Sequence, residues 1–238
     1  MSNLILVRHG QATFGGDDYD NLSATGELQA RRLGDFWGER RVVFDEVFTG
    51  PRKRQRHTAE IVREACTGAG LEWPEPVVID ELDEYNADGI VSGLVPLLVR
   101  QDERIRSLVE AAEQHRHGPE RNRHFQRMFE AVMGAWIGGT EAENLESWRS
   151  FHDRVRRGIA RVTAAEASGR RVVVFTSGGP ISVAVQTATQ APEHMAVELN
   201  WRVRNCSLTE IIYTRDRFTL DVFNAVPHLG DSALLTYR

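Results

Sequence analysis

Four separate stretches of the chain carry side chains suited to holding and transferring an anionic group. Arg8, His9, Gly10 and Gln11 follow the apolar run at 4–7, and Thr49, Gly50 and Pro51 lead into Arg52, Arg54, Arg56 and His57. Asp80, Glu81, Asp83 and Glu84 follow a third short apolar run, and Ser177, Gly178 and Gly179 follow RVVVFT at 171–176. Guanidinium groups grip phosphates and carboxylates through paired hydrogen bonds. A helix opened by glycines offers backbone N–H groups to the same kind of anion. Arginines, an imidazole, carboxylates and an amide cluster together suit phosphate best. Each stretch alone has an ordinary explanation as a strand end, a basic helix start, an acidic turn or a glycine turn. Their meaning depends on whether the fold delivers them to one place.

The elements that would do so alternate between strand and helix patterns. The run at 4–7 is short and continuously apolar, as a strand covered on both faces requires. Apolar residues near helical spacing predict a helix over 25–40, a strand over 42–48, and a helix that begins at Pro51 and ends at Gly68 and Gly70. A short strand is expected at 77–79, a helix at about 145–167, and a central strand at 171–176 before the helix opened by Gly178, Gly179 and Pro180. Strands at 207–214 and 218–223 close the pattern. Between about 88 and 140 strand patterns vanish, and Phe125, Met128, Phe129, Val132, Met133 and Trp136 form one apolar helical stripe. Trp136 and Trp148 read as core residues. The whole predicts a single domain over 1–238: a three-layer α/β sandwich with a mainly parallel sheet, helices on both faces and a helical insertion at about 88–140. In such sheets ligands bind beyond the carboxyl ends of the strands, and all four stretches lie there.

Composition removes several alternatives. Net charge is −5, and of 29 basic residues only Lys53 is a lysine. The arginine surplus is spread among 34 acids, so a nucleic-acid coat is disfavoured. Cys66 and Cys206 are too few and too distant for a disulfide framework or a metal knuckle, which suits a reduced, cytoplasmic setting. The opening apolar run is too short for a signal peptide, and Ser92, Gly93 and Pro96 break the longest later one, so no membrane partner is expected.

The same residues carry a family resemblance. LVRHGQ at 6–11, LSATGELQA at 22–30, GPRKRQRHTA at 50–59 and LDEYNADG at 82–89 resemble, in order, motifs of the histidine phosphatase superfamily, the phosphoglycerate mutase-like proteins. ESWRSFHDRV at 146–155, VVVFTSGGPI at 172–181, NCSLTEI at 205–211 and NAVPHL at 224–229 continue the series. The resemblance implies a phosphoglycerate mutase-like fold and a nucleophilic His9 that forms a phosphohistidine. It also implies that Arg8 and Arg54 clamp the phosphoryl group and that Glu84 is a proton donor whose carboxyl must hold its proton at working pH. Gln11, Gly178 and Gly179 would line the phosphate site. The scheme needs no cofactor and no metal, and no metal-ligand spacing is evident.

Two departures from the family pattern stand out. Ser177 occupies the place of the usual second histidine, with His57 or His228 as conceivable substitutes from another direction. The asparagine found after the RHG motif in many members is absent from TFGGDD at 13–18. These make hydrolysis of a phosphorylated small molecule a better expectation than efficient mutase chemistry. A phosphate-binding pseudoenzyme is the runner-up. FTSGG at 175–179 also resembles a nucleophile elbow, so a serine hydrolase using Ser177, Asp216 or Asp221, and His228 is a third reading. Arg100, Arg104, His115, His117 and Arg121 could read a second anionic group or simply face solvent. Oligomeric state stays open, a homodimer among the options.

Overall fold

Continuous apolar runs become the buried strands. In the computed structural model, which describes residues 1–13, 20–164 and 168–237, the strands are β1 (Ser2–Arg8), β2 (Glu46–Thr49), β3 (Val77–Val78), β4 (Arg171–Thr176), β5 (Leu208–Tyr213) and β6 (Phe218–Ala225). They form one sheet in the order β3-β2-β4-β1-β5-β6. β3, β2, β4 and β1 pair in parallel, and β5 is antiparallel to both β1 and β6. Only β5 therefore runs against the others, and the mainly parallel α/β sheet expected from the sequence is observed. Val172, Val173, Val174 and Phe175 of β4 are all fully buried, which explains a strand that is apolar at every position rather than at alternate ones.

Helices α1 (Ala24–Glu39) and α2 (Lys53–Gly68) cover one face of the sheet. There Leu33, Trp37 and Val62 pack with Ile5, Val7, Val173 and Phe175. The two helices approach closely because Gly34 faces Ala65, where an added Cβ would sit 2.5 Å from the alanine methyl. By strand alternation Leu4, Leu6, Val172 and Val174 face the other side, and they too are buried. On α7 (Gly178–Thr189), which packs on β1 and β6, Ile181, Val183, Ala184 and Val185 are buried. Cys66 and Cys206 are free and buried.

Two segments are shorter than their hydrophobic pattern. The strand expected at 42–48 starts only at Glu46, because its ladder partner β4 begins at Arg171 and offers nothing earlier to pair with; Val43 is 51% exposed. The helix expected from Pro51 starts at Lys53, because the Gln55 side chain accepts the Arg52 N–H at 2.9 Å and makes Arg52 the cap. A short helix, α8 (Met195–Asn200), had no clear periodic signal.

The chain divides into two compact units, Met1–Glu84 with Arg154–Arg238, and Tyr85–Asp153. The first holds the whole sheet. The second is helical: α3 (Ala87–Gln101), α4 (Glu103–Gln114), α5 (Arg121–Ile137) and the first residues of α6 (Trp148–Val162). Its core is aromatic, with Trp136 5.5 Å from Tyr85, 5.4 Å from Trp148 and 5.8 Å from Phe151 between ring centres. Trp136 and Trp148 are thus core residues. Asp102 caps α4 by accepting from the Arg104 and Ile105 N–H groups. Among the described residues no helix is long and apolar enough to cross a membrane.

Candidate active site

Parallel strands bring their carboxyl ends to one edge, and the chain ties those ends together. The His9 N–H donates to Thr176 O at 2.9 Å, Gly50 N–H to Phe175 O at 2.9 Å and Ile79 N–H to Thr49 O at 2.8 Å. Beyond β1 the chain turns tightly at Gly10, where a Cβ would lie 2.4 Å from the carbonyl oxygen of Gly26. No other residue type fits that approach. The Gly10 N–H donates to Thr58 Oγ1 at 3.0 Å, and Asn205 Nδ2 donates to His9 O at 3.2 Å, so both neighbours of the turn are held.

His9 is 6% exposed. Its Nδ1 lies 2.7 Å from Gly10 O, which places the proton on Nδ1, and Arg54 Nε donates to the opposite nitrogen, Nε2, at 3.1 Å. Burial, then the positive charges of Arg54 and Arg8, hold its pKa well below the ordinary imidazole value, against a smaller opposing effect of the Gly10 carbonyl. The ring is therefore neutral at pH 7, with its Nε2 lone pair facing a guanidinium. Arg54 is itself buried, and its Nη1 pairs with Asp20 Oδ1 at 2.9 Å. Arg8 donates from Nη1 to the Val203 carbonyl.

The acidic turn after β3 is a short 3₁₀ segment, Asp80–Leu82. Arg52 Nε donates to Asp83 Oδ1 at 2.5 Å, Asp83 Oδ1 accepts the Glu84 N–H at 2.7 Å, and Arg154 Nη1 donates to the carbonyls of Glu81 and Asp83 at 2.9 and 3.1 Å. This bracing carries the Glu84 carboxylate to the start of α7, where Oε2 accepts the Gly179 N–H at 3.1 Å. A carboxylate at a helix N-terminus meets the positive end of the helix dipole.

Ser177 is fully buried at the end of β4, and its Oγ accepts from Gln55 Nε2 at 2.7 Å. Gln55 is thus the group that meets Ser177. His57 is half-buried in the first turn of α2, and the His228 ring packs 6.0 Å from that of Phe36. Neither histidine has a hydrogen bond to Ser177 or His9 among the described residues, so no Ser177–His228 couple of the serine-hydrolase kind is formed. Gln11 turns its side chain to the α1 cap, its Oε1 accepting from Ser23 Oγ at 2.9 Å. Of the TFGGDD stretch that lacks the asparagine, residues 14–18 lie outside the described residues.

His9, Arg54, Glu84, Ser177 and Gly179 are therefore linked through the sheet edge, with Arg52 and Asp83 of the strand-end stretches bracing one another, while Gln55 and Asp20 are partners that the strand ends did not single out. Gln55 had a signal. It lies on the same helical stripe as Ala59, Val62 and Cys66, so a polar side chain was due on the buried face of α2.

The fold is that of phosphoglycerate mutase-like α/β proteins. It is similar to phosphoglycerate mutase from Bacillus anthracis str. Sterne, with a TM-score of 0.63 and 18% identity over 96% of this chain and 95% of that one. It is also similar to a mycobacterial glucosyl-3-phosphoglycerate phosphatase, with a TM-score of 0.61 and 21% identity over 94% and 98% of the two chains. Residues 4–226 match the histidine phosphatase superfamily (branch 1), and the chain belongs to that family. Among curated proteins it is 24% identical to the uncharacterized phosphatase PhoE of Bacillus subtilis (strain 168), over 97% of this chain and 98% of that one.

Proposed function

We propose that the protein is a phosphomonoester hydrolase working through a phosphohistidine on His9. The observation that carries this reading is the state of His9: a neutral ring, its proton committed at Nδ1 to Gly10 O, its Nε2 beside Arg54. Such an imidazole is a nucleophile without needing a base to activate it. On substrate binding the Arg54 Nε–H passes from Nε2 to a phosphoryl oxygen, freeing the lone pair while neutralising charge on the transferring group. The Nε2–P bond forms as the P–O bond to the alcohol breaks, and Glu84, entering the step as the protonated acid with Oε2 still accepting from Gly179, gives the leaving oxygen its proton. Water then attacks phosphorus, Glu84 takes a proton from it, the N–P bond breaks and inorganic phosphate leaves. Arg8 supports the clamp through its charge beside His9.

Ser177 takes the place of the family's second histidine in this reading. Because its Oγ accepts from Gln55, its own hydrogen is directed elsewhere, and it serves as a neutral donor to the phosphoryl group. The substrate class is a phosphorylated small molecule. The family relationship supports this, as does a phosphoserine phosphatase of the same fold from Entamoeba histolytica, with a TM-score of 0.60 and 16% identity over 96% of this chain and 100% of that one.

Incubation with a labelled phosphomonoester should yield phosphate and a protein-bound label that survives alkali and is lost in acid. His9→Ala should abolish both, and Ser177→Ala should retain turnover at a reduced rate. An undiminished rate in His9→Ala would refute the reading, and phosphate binding without turnover would favour a binding protein instead.

A further inference from the structure

Three side chains of the helical second unit converge without taking part in any of the chemistry above. His115 ends α4, Glu120 precedes α5, and His124 lies in its first turn. The two imidazoles stack with ring centres 4.0 Å apart and planes 11° from parallel. His124 Nε2 is 3.7 Å from Glu120 Oε2, and one ligand atom from each of the three residues lies within 4.8 Å of the other two. The donors come from both sides of the α4–α5 turn, so their sequence spacing resembles no familiar ligand motif.

We propose that His115, Glu120 and His124 form a binding site for a divalent transition metal of the zinc class. The donor set favours that class: two imidazoles and one carboxylate suit Zn²⁺, Ni²⁺ or Cu²⁺, whereas Mg²⁺ and Ca²⁺ require a shell made mainly of oxygen. One ligand is already oriented. His115 Nδ1 lies 2.8 Å from the Ala111 carbonyl, which keeps the proton there and presents Nε2 as the free donor, the arrangement typical of metal-bound histidines. Tetrahedral zinc places its nitrogen and oxygen ligands about 3.3 Å apart, and the Glu120–His124 pair is close to that at 3.7 Å. Parallel rings aim their lone pairs side by side rather than at one point. Binding therefore requires one ring to turn about its Cβ–Cγ bond, and His124, with no backbone bond to its ring, is the one that turns. His115 and His124 are half-buried and Glu120 is exposed, so an ion enters directly from solvent and a water molecule completes the shell. The bound ion would pin the end of α4 to the start of α5. His117 stands outside the group, its Nε2 accepting from Arg116 Nε at 3.0 Å, and it provides the control.

Chelator-stripped protein should take up one Zn²⁺ in competition with a chromophoric indicator, and Mg²⁺ should not displace it. His115→Ala and His124→Ala should each weaken binding at least about a hundredfold and Glu120→Gln about tenfold, with His117→Ala unchanged. Zinc should raise the thermal midpoint of the unmodified protein and of His117→Ala, but not of the two ligand variants. Co²⁺ should give the intense visible bands of a low-coordinate site in the unmodified protein and in His117→Ala, but not in the two ligand variants. Zinc bound equally well by His115→Ala and His124→Ala, or lost equally in His117→Ala, would overturn the proposal. If His124→Ala disturbs the packing of α4 and α5, His124→Gln tests the same lone-pair loss with a side chain of similar bulk.

Discussion

In the proposed mechanism His9 has to be neutral to attack and yet sit among positive charges that hold phosphate. Both needs are met by the same neighbours, since Arg54 and Arg8 add to the effect of burial in keeping the imidazole unprotonated. Protonation of His9 removes the nucleophile, so kcat/KM should keep its value as pH falls past the ordinary imidazole range and decline only well below it. Arg54→Gln removes one of the charges that disfavour imidazolium. Its acidic limb should therefore move to higher pH, while kcat/KM falls by about 10²–10³ because a phosphoryl donor is lost. Profiles of kcat/KM against pH with an aryl phosphate would separate the two effects. A lower rate with an unmoved limb would leave burial and Arg8 as the causes of the neutral ring. The Arg54–Asp20 pair matters here too, because it holds the guanidinium beside His9 before substrate arrives.

Helix α2 carries Arg54 and Gln55, and what sets its position is the close contact with α1. At Gly34 helix propensity and packing oppose each other. Replacing an interior glycine by alanine favours the helix by up to about 1 kcal/mol. An added methyl there would lie 2.5 Å from Ala65 Cβ and 3.0 Å from the Val62 carbonyl. Overpacking of that kind costs about 1–3 kcal/mol, so Gly34→Ala should lower stability. Gly134 in α5 is the converse, with open space around the same position. Gly134→Ala should raise stability by about 0.5–1 kcal/mol. Urea denaturation of the two variants should therefore shift in opposite directions; a stabilising Gly34→Ala would mean that α1 and α2 can separate at little cost.

Across the whole molecule, buried histidines make the folded state sensitive to acid. Burial pushes His228 down to about 4, and His9 is likewise depressed. Below about pH 6.5 the unfolded chain takes up a proton at each of these positions that the folded chain refuses. Stability contributed by the neutral rings is thus fully present above pH 6.5 and is lost on acidification, for His228 down to about pH 4. For this residue the loss amounts to about 3 kcal/mol. His228→Leu should be less sensitive to acid by roughly that amount when denaturation midpoints at pH 7.5 and pH 4 are compared. An unchanged pH dependence would assign the acid sensitivity to other groups.

The amino-acid sequence alone determined the alternation of strand and helix, the central place of RVVVFT, the core position of Trp136 and Trp148 and the gathering of Arg54, His9, Glu84 and Ser177 at one edge. These are legible because burial repeats with the period of the local element and because parallel strands all end on the same side. Strand and helix ends were less legible, as β2 shows: its start depends on where β4 begins. Only the tertiary structure decided which polar groups meet. Gln55 and Ser177 are 122 residues apart in the chain, and nothing in the spacing of either announces the other. The same holds for Asp20 with Arg54, for Arg52 with Asp83, and for the stacked pair His115 and His124. A hydrogen bond or a ligand set depends on side-chain direction at a few ångströms, and that is fixed by packing between distant segments rather than by the period of any one of them.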